Sequence, residues 1–469
     1  MSIKKNLIIL FLVFGPSLLA QETLPEVLTF REYLAYVKQF HPVARQAGLK
    51  LSMAEAELLR ARGGFDPKIE VDYDRKAFKN TEYYDILNST FKIPTWYGIE
   101  LKANFEQNQG VYLNPERTVP EDGLFSAGIS MDVGQGMFIN QRMASLRNAK
   151  IYRDQSLAER DLMVNEVLYS AALAYFDWLK VYNEMIIYEG FLENSLERYR
   201  GITQNARMGE IPAIDTVEAN ISVQNRRLDL EQARVELIKE RLDLSNFLWL
   251  GNNTPVELQP DIVPETSLLP LINNVLSLPQ VIAPGVIPEN HPRLRSLELG
   301  LRALEVNRRL MANRLLPEIN LQYNFLTQEP DEFQRFYREN YKAGVRFAFP
   351  LFLRKERGDL KLANFRIQDA ELDLKLRERQ LENRIEAAFQ ELESYNLQLQ
   401  LAEEMVENYS ILLGAEERKM SFGESSLFLI NTRENRLIEA RLKQNEILNK
   451  FLYAKAGLFR SLGIVPATD

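Results

Sequence analysis

Two periodicities organise this chain. Apolar residues recur every seventh position through Leu157, Val164, Ala171, Trp178, Met185, Leu192, Tyr199 and Ala206. They do so again through Leu353, Leu360, Ile367, Leu374, Leu381, Ala388, Tyr395, Ala402 and Tyr409. Companions four residues further on, such as Leu168, Tyr175 and Tyr182, or Ile385, Leu392 and Leu399, complete a coiled-coil seam. The spacing predicts long helices over about 137–208 and 352–420, each roughly 105 Å at 1.5 Å per residue. Shorter helices are expected over 42–63, 213–250, 292–314 and 425–462. Two short helices stacked end to end would flank one long helix.

Elsewhere the period is two. Ile69, Val71 and Tyr73 alternate with Lys68, Glu70 and Asp72, and Phe125, Ala127, Ile129, Met131 and Val133 alternate with small or polar neighbours. Ile319, Leu321, Tyr323 and Phe325 repeat the pattern, as do Tyr341, Ala343, Val345, Phe347 and Phe349. Strict alternation over about ten residues is the signature of a transmembrane β-strand with lipid on one face and water on the other. A half-buried soluble sheet also alternates, but four such segments at equivalent places beside long helices favour a membrane barrel. Four strands cannot close a wide barrel alone, and open edges are not tolerated in lipid. Several chains must therefore share one barrel. The insert 78–122 also alternates, at Ile99, Leu101, Ala103 and Phe105, and fits either extra wall or an extracellular hairpin.

The chain is an internal repeat. His41-Pro42, Arg45, Leu49, Leu51, Glu55, Pro67, Ile69 and Tyr73 recur 250 residues later as His291-Pro292, Arg295, Leu299, Leu301, Glu305, Pro317, Ile319 and Tyr323. Ala127-Gly128 matches Ala343-Gly344, and Gly209-Glu210 matches Gly423-Glu424. The repeats span 21–251, with strands at about 67–133, and 291–469, with strands at about 317–349. Seven prolines between 252 and 290 mark an extended connector. Thr29 and Glu32 have capping-box spacing, and Pro42 and Pro292 stand where helices start. Both histidines are repeat equivalents at helix starts and are read as structural.

Composition narrows the chemistry. The 469 residues hold no cysteine and two histidines, which removes thiol and Cys-metal chemistry and leaves little for His ligation. No nucleophile motif, metal cluster or phosphate loop stands out, so no catalytic, cofactor or metal residues are assigned and an enzyme is not expected. With 57 basic against 65 acidic side chains, there is no nucleic-acid footprint. Lys4, Lys5, the apolar run Leu7–Phe14 and Ala20 read as a signal peptide over 1–20.

These features together resemble the TolC family of outer-membrane efflux proteins. The resemblance covers nearly the whole mature chain, and its most specific local pattern is Arg207-Met208-Gly209, Asp215 and Glu218-Ala219 at the first helical turn. The second turn is Ser421-Phe422-Gly423-Glu424. The resemblance implies a mixed α and β fold: a homotrimer with a 12-stranded outer-membrane β-barrel continuous with a periplasmic α-helical barrel. The connector would lie in a belt around its middle. It also implies a passive exit duct in outer-membrane lipid, docked through its helical tips onto a periplasmic adaptor and an inner-membrane pump. Tip docking would use Arg207, Gly209, Asp215, Gly423 and Ser425. The family's acidic entrance positions correspond to Leu429 and Thr432, so entrance-lining acids fall instead on Asp215 and Glu218. Those two acids also suit a helix N-terminus after Pro212. Multidrug efflux leads, an exit duct for type I protein secretion is the alternative, and a pore-less coiled-coil envelope scaffold is the reading from another class.

Overall fold

The computed structural model describes residues 27–279, 284–329, 331 and 339–466; the expected signal peptide lies outside them. In chain order the elements are β1 (Val27–Leu28), α1 (Phe30–Phe40), α2 (Pro42–Arg62), β2 (Lys68–Phe78), β3 (Thr81–Pro94), β4 (Ile99–Gln109) and β5 (Leu124–Gly134). The long helix α3 (Gln141–Met208) and its return α4 (Ala213–Ser245) follow, then β6 (Val263–Pro264) and α5 (Ile272–Val275). The second half contains α6 (Pro292–Asn313), β7 (Glu318–Thr327), β8 (Tyr341–Ala348), α7 (Arg354–Ser421) and α8 (Leu427–Leu462). No described helix is long and apolar enough to cross a membrane.

Local chemistry sets the helix starts. Thr29 and Glu32 form a reciprocal capping box on α1. His41 and His291 cap α2 and α6: each Nδ1 accepts a backbone N–H, from Val43 and Arg293 respectively, at 3.2 Å. Proline follows each, where the missing N–H costs nothing. The Asn140 side chain accepts from Met143 N at the start of α3.

The helices form one layer of four columns. Toward the helical turns the order across the layer is α4, α3, α8, α7; toward the sheet it is α2, α3, α6, α7. So α2 continues the column begun by α4, and α6 continues α8. The two histidines sit at these junctions. His41 stacks on Phe247 just beyond α4, at 5.6 Å, and Arg45 Nη2 donates to Gly251 O at 2.7 Å. His291 uses its Nδ1 as acceptor, so Nε2 carries the proton and donates to Ser461 O at 3.2 Å. Burial holds the pKa of both imidazoles below the usual value. Gly463, at φ +62°, ends α8 beside His291, and a Cβ there would meet the imidazole at 2.9 Å.

The main core lies halfway along α3. Tyr175, Phe176 and Trp178 are buried against Phe30 and Tyr33 of α1 and Phe459 of α8. The Pro-rich connector wraps this point, burying Leu258, Ile262, Leu268, Ile272 and Leu276. Tyr175 Oη donates to Leu28 O (2.7 Å) and accepts from Glu265 N (2.9 Å). One hydroxyl thereby fastens both sides of the parallel β1–β6 pair.

The sheet adds two strands, from the insert, to the four read from strict alternation. Six strands lie in the order β2, β3, β4, β5, β7, β8, all antiparallel. The insert supplies β3 and β4. The register lines up one apolar face: Ile93, Leu101, Ile129, Tyr323 and Ala343 form one row, and Ile69, Phe91, Ala103, Ala127, Phe325 and Tyr341 the next. The opposite face carries Lys92, Lys102, Gly128, Asn324 and Lys342 in one row. Strands of about ten residues tilted by about 40° rise roughly 26 Å, the height of an outer-membrane apolar band.

Candidate functional site

The far end of the helical layer carries the two turns singled out in the sequence. Gly209 has φ +79° and Gly423 has φ +76°, the left-handed conformation glycine adopts at little cost. Gly209 N donates to Ala206 O, and Glu210 N to Asn205 O. Gly423 N donates to Met420 O, and Glu424 N to Lys419 O, so the same pair of bonds recurs. Both turns are therefore Schellman motifs, which satisfy the last carbonyls of α3 and α7. They sit at the same end: Ile202, Ala219 and Leu427 are buried together, with Tyr199 and Ile211 packed against them.

The tip residues are placed as follows. Arg207 is exposed in the last turn of α3, where a cation complements free carbonyls. Asp215 lies half-buried in the first turn of α4, and its N–H donates to Pro212 O at 3.1 Å. Ser425 Oγ donates to Glu416 Oε1 at 2.6 Å. Glu218 is not free: its Oε1 accepts from Asn431 Nδ2 of α8 at 3.2 Å. Leu429 and Thr432 are on the opening turns of α8, where the Thr432 hydroxyl donates to Phe428 O at 2.8 Å.

Ten residues behind the α3 tip, about 15 Å by helical rise, lies a charged clasp that the sequence reading missed. Glu434 of α8 is buried to 1% exposure. It takes Arg198 Nη2 of α3 at 2.9 Å and Arg226 Nη2 of α4 at 3.5 Å. Arg198 also reaches Glu417 of α7 at 3.4 Å, and Arg226 hydrogen-bonds to Asn435. Two carboxylates and two guanidiniums thus join all four columns. A signal existed: each stands at a seam position, Arg198 between the buried Ser195 and Ile202, and, in apolar seams, Arg226 between Val223 and Leu230 and Glu434 between Ile430 and Leu437. A charge at a seam position stays buried only when paired.

The arrangement offers no acid–base or nucleophilic constellation. It offers a structured tip, a charged clasp behind it, and an alternating sheet about 100 Å away by helix length.

Comparison with known proteins agrees with this geometry. Residues 284–464 match the family model described as outer membrane efflux protein. No curated protein matches the chain in sequence. Among solved structures, the open-state MtrE outer membrane channel of Neisseria gonorrhoeae superposes with a TM-score of 0.64 at 13% identity, over 92% of this chain and 88% of that one. The Campylobacter jejuni CmeC outer membrane channel gives 0.61 at 13%, over 92% and 85%. The Vibrio cholerae outer membrane protein VceC gives 0.63 at 12%, over 92% and 96%.

Proposed function

We propose that this chain, whose residues 284–464 match the outer membrane efflux protein model, is the exit duct of a tripartite pump for small molecules. In this reading it is an outer-membrane channel with a long periplasmic extension rather than an enzyme. In our reading three copies form the duct, a periplasmic adaptor grips the tip, and an inner-membrane pump supplies the energy. The observation that carries the reading is the pair of matching Schellman turns at one end of the molecule, far from the alternating sheet. Equivalent turns from both repeats present a repeating surface that a partner could grip around a ring. Arg207, Gly209, Asp215, Gly423 and Ser425 are the docking residues we assign, and Asp215 with Glu218 the acids of the entrance.

Proline at Gly209 or Gly423 removes an N–H of the motif and forbids positive φ. The sheet folds far from the turns, so the Gly209→Pro and Gly423→Pro variants are expected to keep trimer and barrel. They should lose co-purification of the adaptor, and cells carrying them should be as drug-sensitive as cells lacking the protein. Full resistance with the adaptor still bound in both variants would overturn tip docking.

A further inference from the structure

The hairpin β3–β4 fills a place in the sheet that two observations make part of a membrane wall. First, its register is continuous on both sides. In the half nearer the helices, Phe91 and Ile93 of β3 and Leu101 and Ala103 of β4 fall on the apolar rows already described, and Thr90, Lys92, Lys102 and Asn104 on the polar face; further out, Asp85 and Ser89 of β3 and Gln107 and Gln109 of β4 share the apolar face. A hairpin projecting into water needs no apolar rows in register with those of its neighbours. Second, the hairpin crosses the full height of the sheet. Its turn is fastened where the helices begin: Asn140 Nδ2, at the start of α3, donates to Trp96 O at 3.2 Å. Trp96 stacks on Phe65 at 5.5 Å, and the Arg147 guanidinium lies 5.6 Å over its ring. Arg142 of α3 pairs with Glu100 of β4.

The free edges show what completes the wall. β2 is exposed along its whole length, and β8 along all but its last residue. β2 leads away from the helices and β8 returns to them, so β2 of one copy meets β8 of the next antiparallel. The helices repeat this division: α4 and α2 stand on the β2 side, α7 on the β8 side. Each side bares an apolar stripe, Ile214, Val217, Ile221, Leu228 and Val235 on α4, and Leu362, Phe365, Leu372 and Leu376 on α7. One continuous edge therefore awaits a second copy of this chain.

We propose that the shared barrel has eighteen strands, six from each of three chains, with β3–β4 as wall. The proposal rests on the trimeric-channel reading above. The arc widths agree with it. Six strands spaced about 4.8 Å and tilted about 40° cover roughly 38 Å of circumference. Four helical columns spaced about 10 Å cover roughly 40 Å. Four strands would cover only about 25 Å. The wall then matches the helical barrel beneath it, and its lumen is about twice the cross-section of a 12-stranded one, because diameter grows with strand number.

The chain has no cysteine, so cysteine pairs in the purified full-length trimer decide the strand order. Asp72→Cys with Asn88→Cys joins β2 to β3, and Asn104→Cys with Ser126→Cys joins β4 to β5; both pairs are direct neighbours. Both should oxidise within one chain. Asp72→Cys with Lys342→Cys, Gly344→Cys or Arg346→Cys should give disulfide-linked dimers and trimers at the register that aligns. Asp72→Cys with Ser126→Cys, Ser130→Cys or Asp132→Cys should give nothing, because β2 and β5 stand three strand spacings apart, about 14 Å, beyond disulfide reach. Crosslinking of β2 to β5 in an intact trimer would overturn the proposal and leave the channel reading standing. A monomer in detergent would overturn both.

Discussion

Lysine at Tyr323 tests the face assignment. Tyr323 lies near the middle of β7, opposite Ile129 on one side and Ala343 on the other. Its ring stacks on Tyr341 at 5.5 Å and meets Phe325 edge-on at 5.0 Å. On the apolar face a lysine at mid-membrane costs about 2–4 kcal/mol. Three copies in one barrel bring that to about 6–12 kcal/mol, comparable to the whole stability of an ordinary domain, about 5–15 kcal/mol. Truncation to alanine loses only burial and the ring contacts, about 0.5–1.5 kcal/mol per aromatic pair beyond area. Gln322, one residue earlier, shares its row with Ser130 and Gly344 on the polar face. Phe347, on the apolar face but one residue from the helical end of β8, should cost less, since the penalty falls to about 0–1 kcal/mol near the interface. The assay is the amount of folded trimer in the outer-membrane fraction. The expected order of loss is Tyr323→Lys, then Phe347→Lys, with Tyr323→Ala milder than Tyr323→Lys and Gln322→Lys close to the parent. If Gln322→Lys depletes the trimer as much as Tyr323→Lys does, the faces have been assigned wrongly.

Three further outcomes are expected. Glu434→Ala strands Arg198 and Arg226 in a buried clasp and should lower stability by about 3–5 kcal/mol, seen as a lower chemical-denaturation midpoint; an unchanged midpoint would show the clasp to be solvated. Trp178→Ala opens a cavity in the mid-length core and should cost about 3–5 kcal/mol, read as a fall in thermal midpoint, while a surface-like loss below about 0.5 kcal/mol would contradict its burial. The third concerns pH. Burial lowers the folded pKa of His291 and His41 below 6.5, so the unfolded chain takes up protons first; their contribution is complete above about pH 6.5 and declines as pH falls through and below it. His41→Asn with His291→Asn keeps capping side chains and should flatten the change in thermal midpoint between pH 7.5 and 5.5, and a slope equal to the parent's would remove both histidines as its source.

Periodicity determined the architecture by itself, because periodicity is imposed locally. Heptads through Leu381, Ala388 and Ala402 mark a seam that is buried in the folded chain, since a narrow apolar stripe at heptad spacing is matched by another helix. Strict alternation made β2, β5, β7 and β8 legible for the same reason. β3 was not legible. Asp85 and Ser89 interrupt its apolar face, while Tyr84 and Ile86 fall on the polar one, so the period of two fades. Its place comes from hydrogen bonds to β2 and β4, which only the assembled sheet supplies. The tip glycines were readable because positive φ is a property of one residue. That Glu434 answers Arg198 and Arg226 was not readable: the three lie far apart in sequence. What allows a carboxylate to lie buried in a seam is the packing of α3, α4 and α8, which brings two guanidiniums to it, and that is decided by tertiary structure.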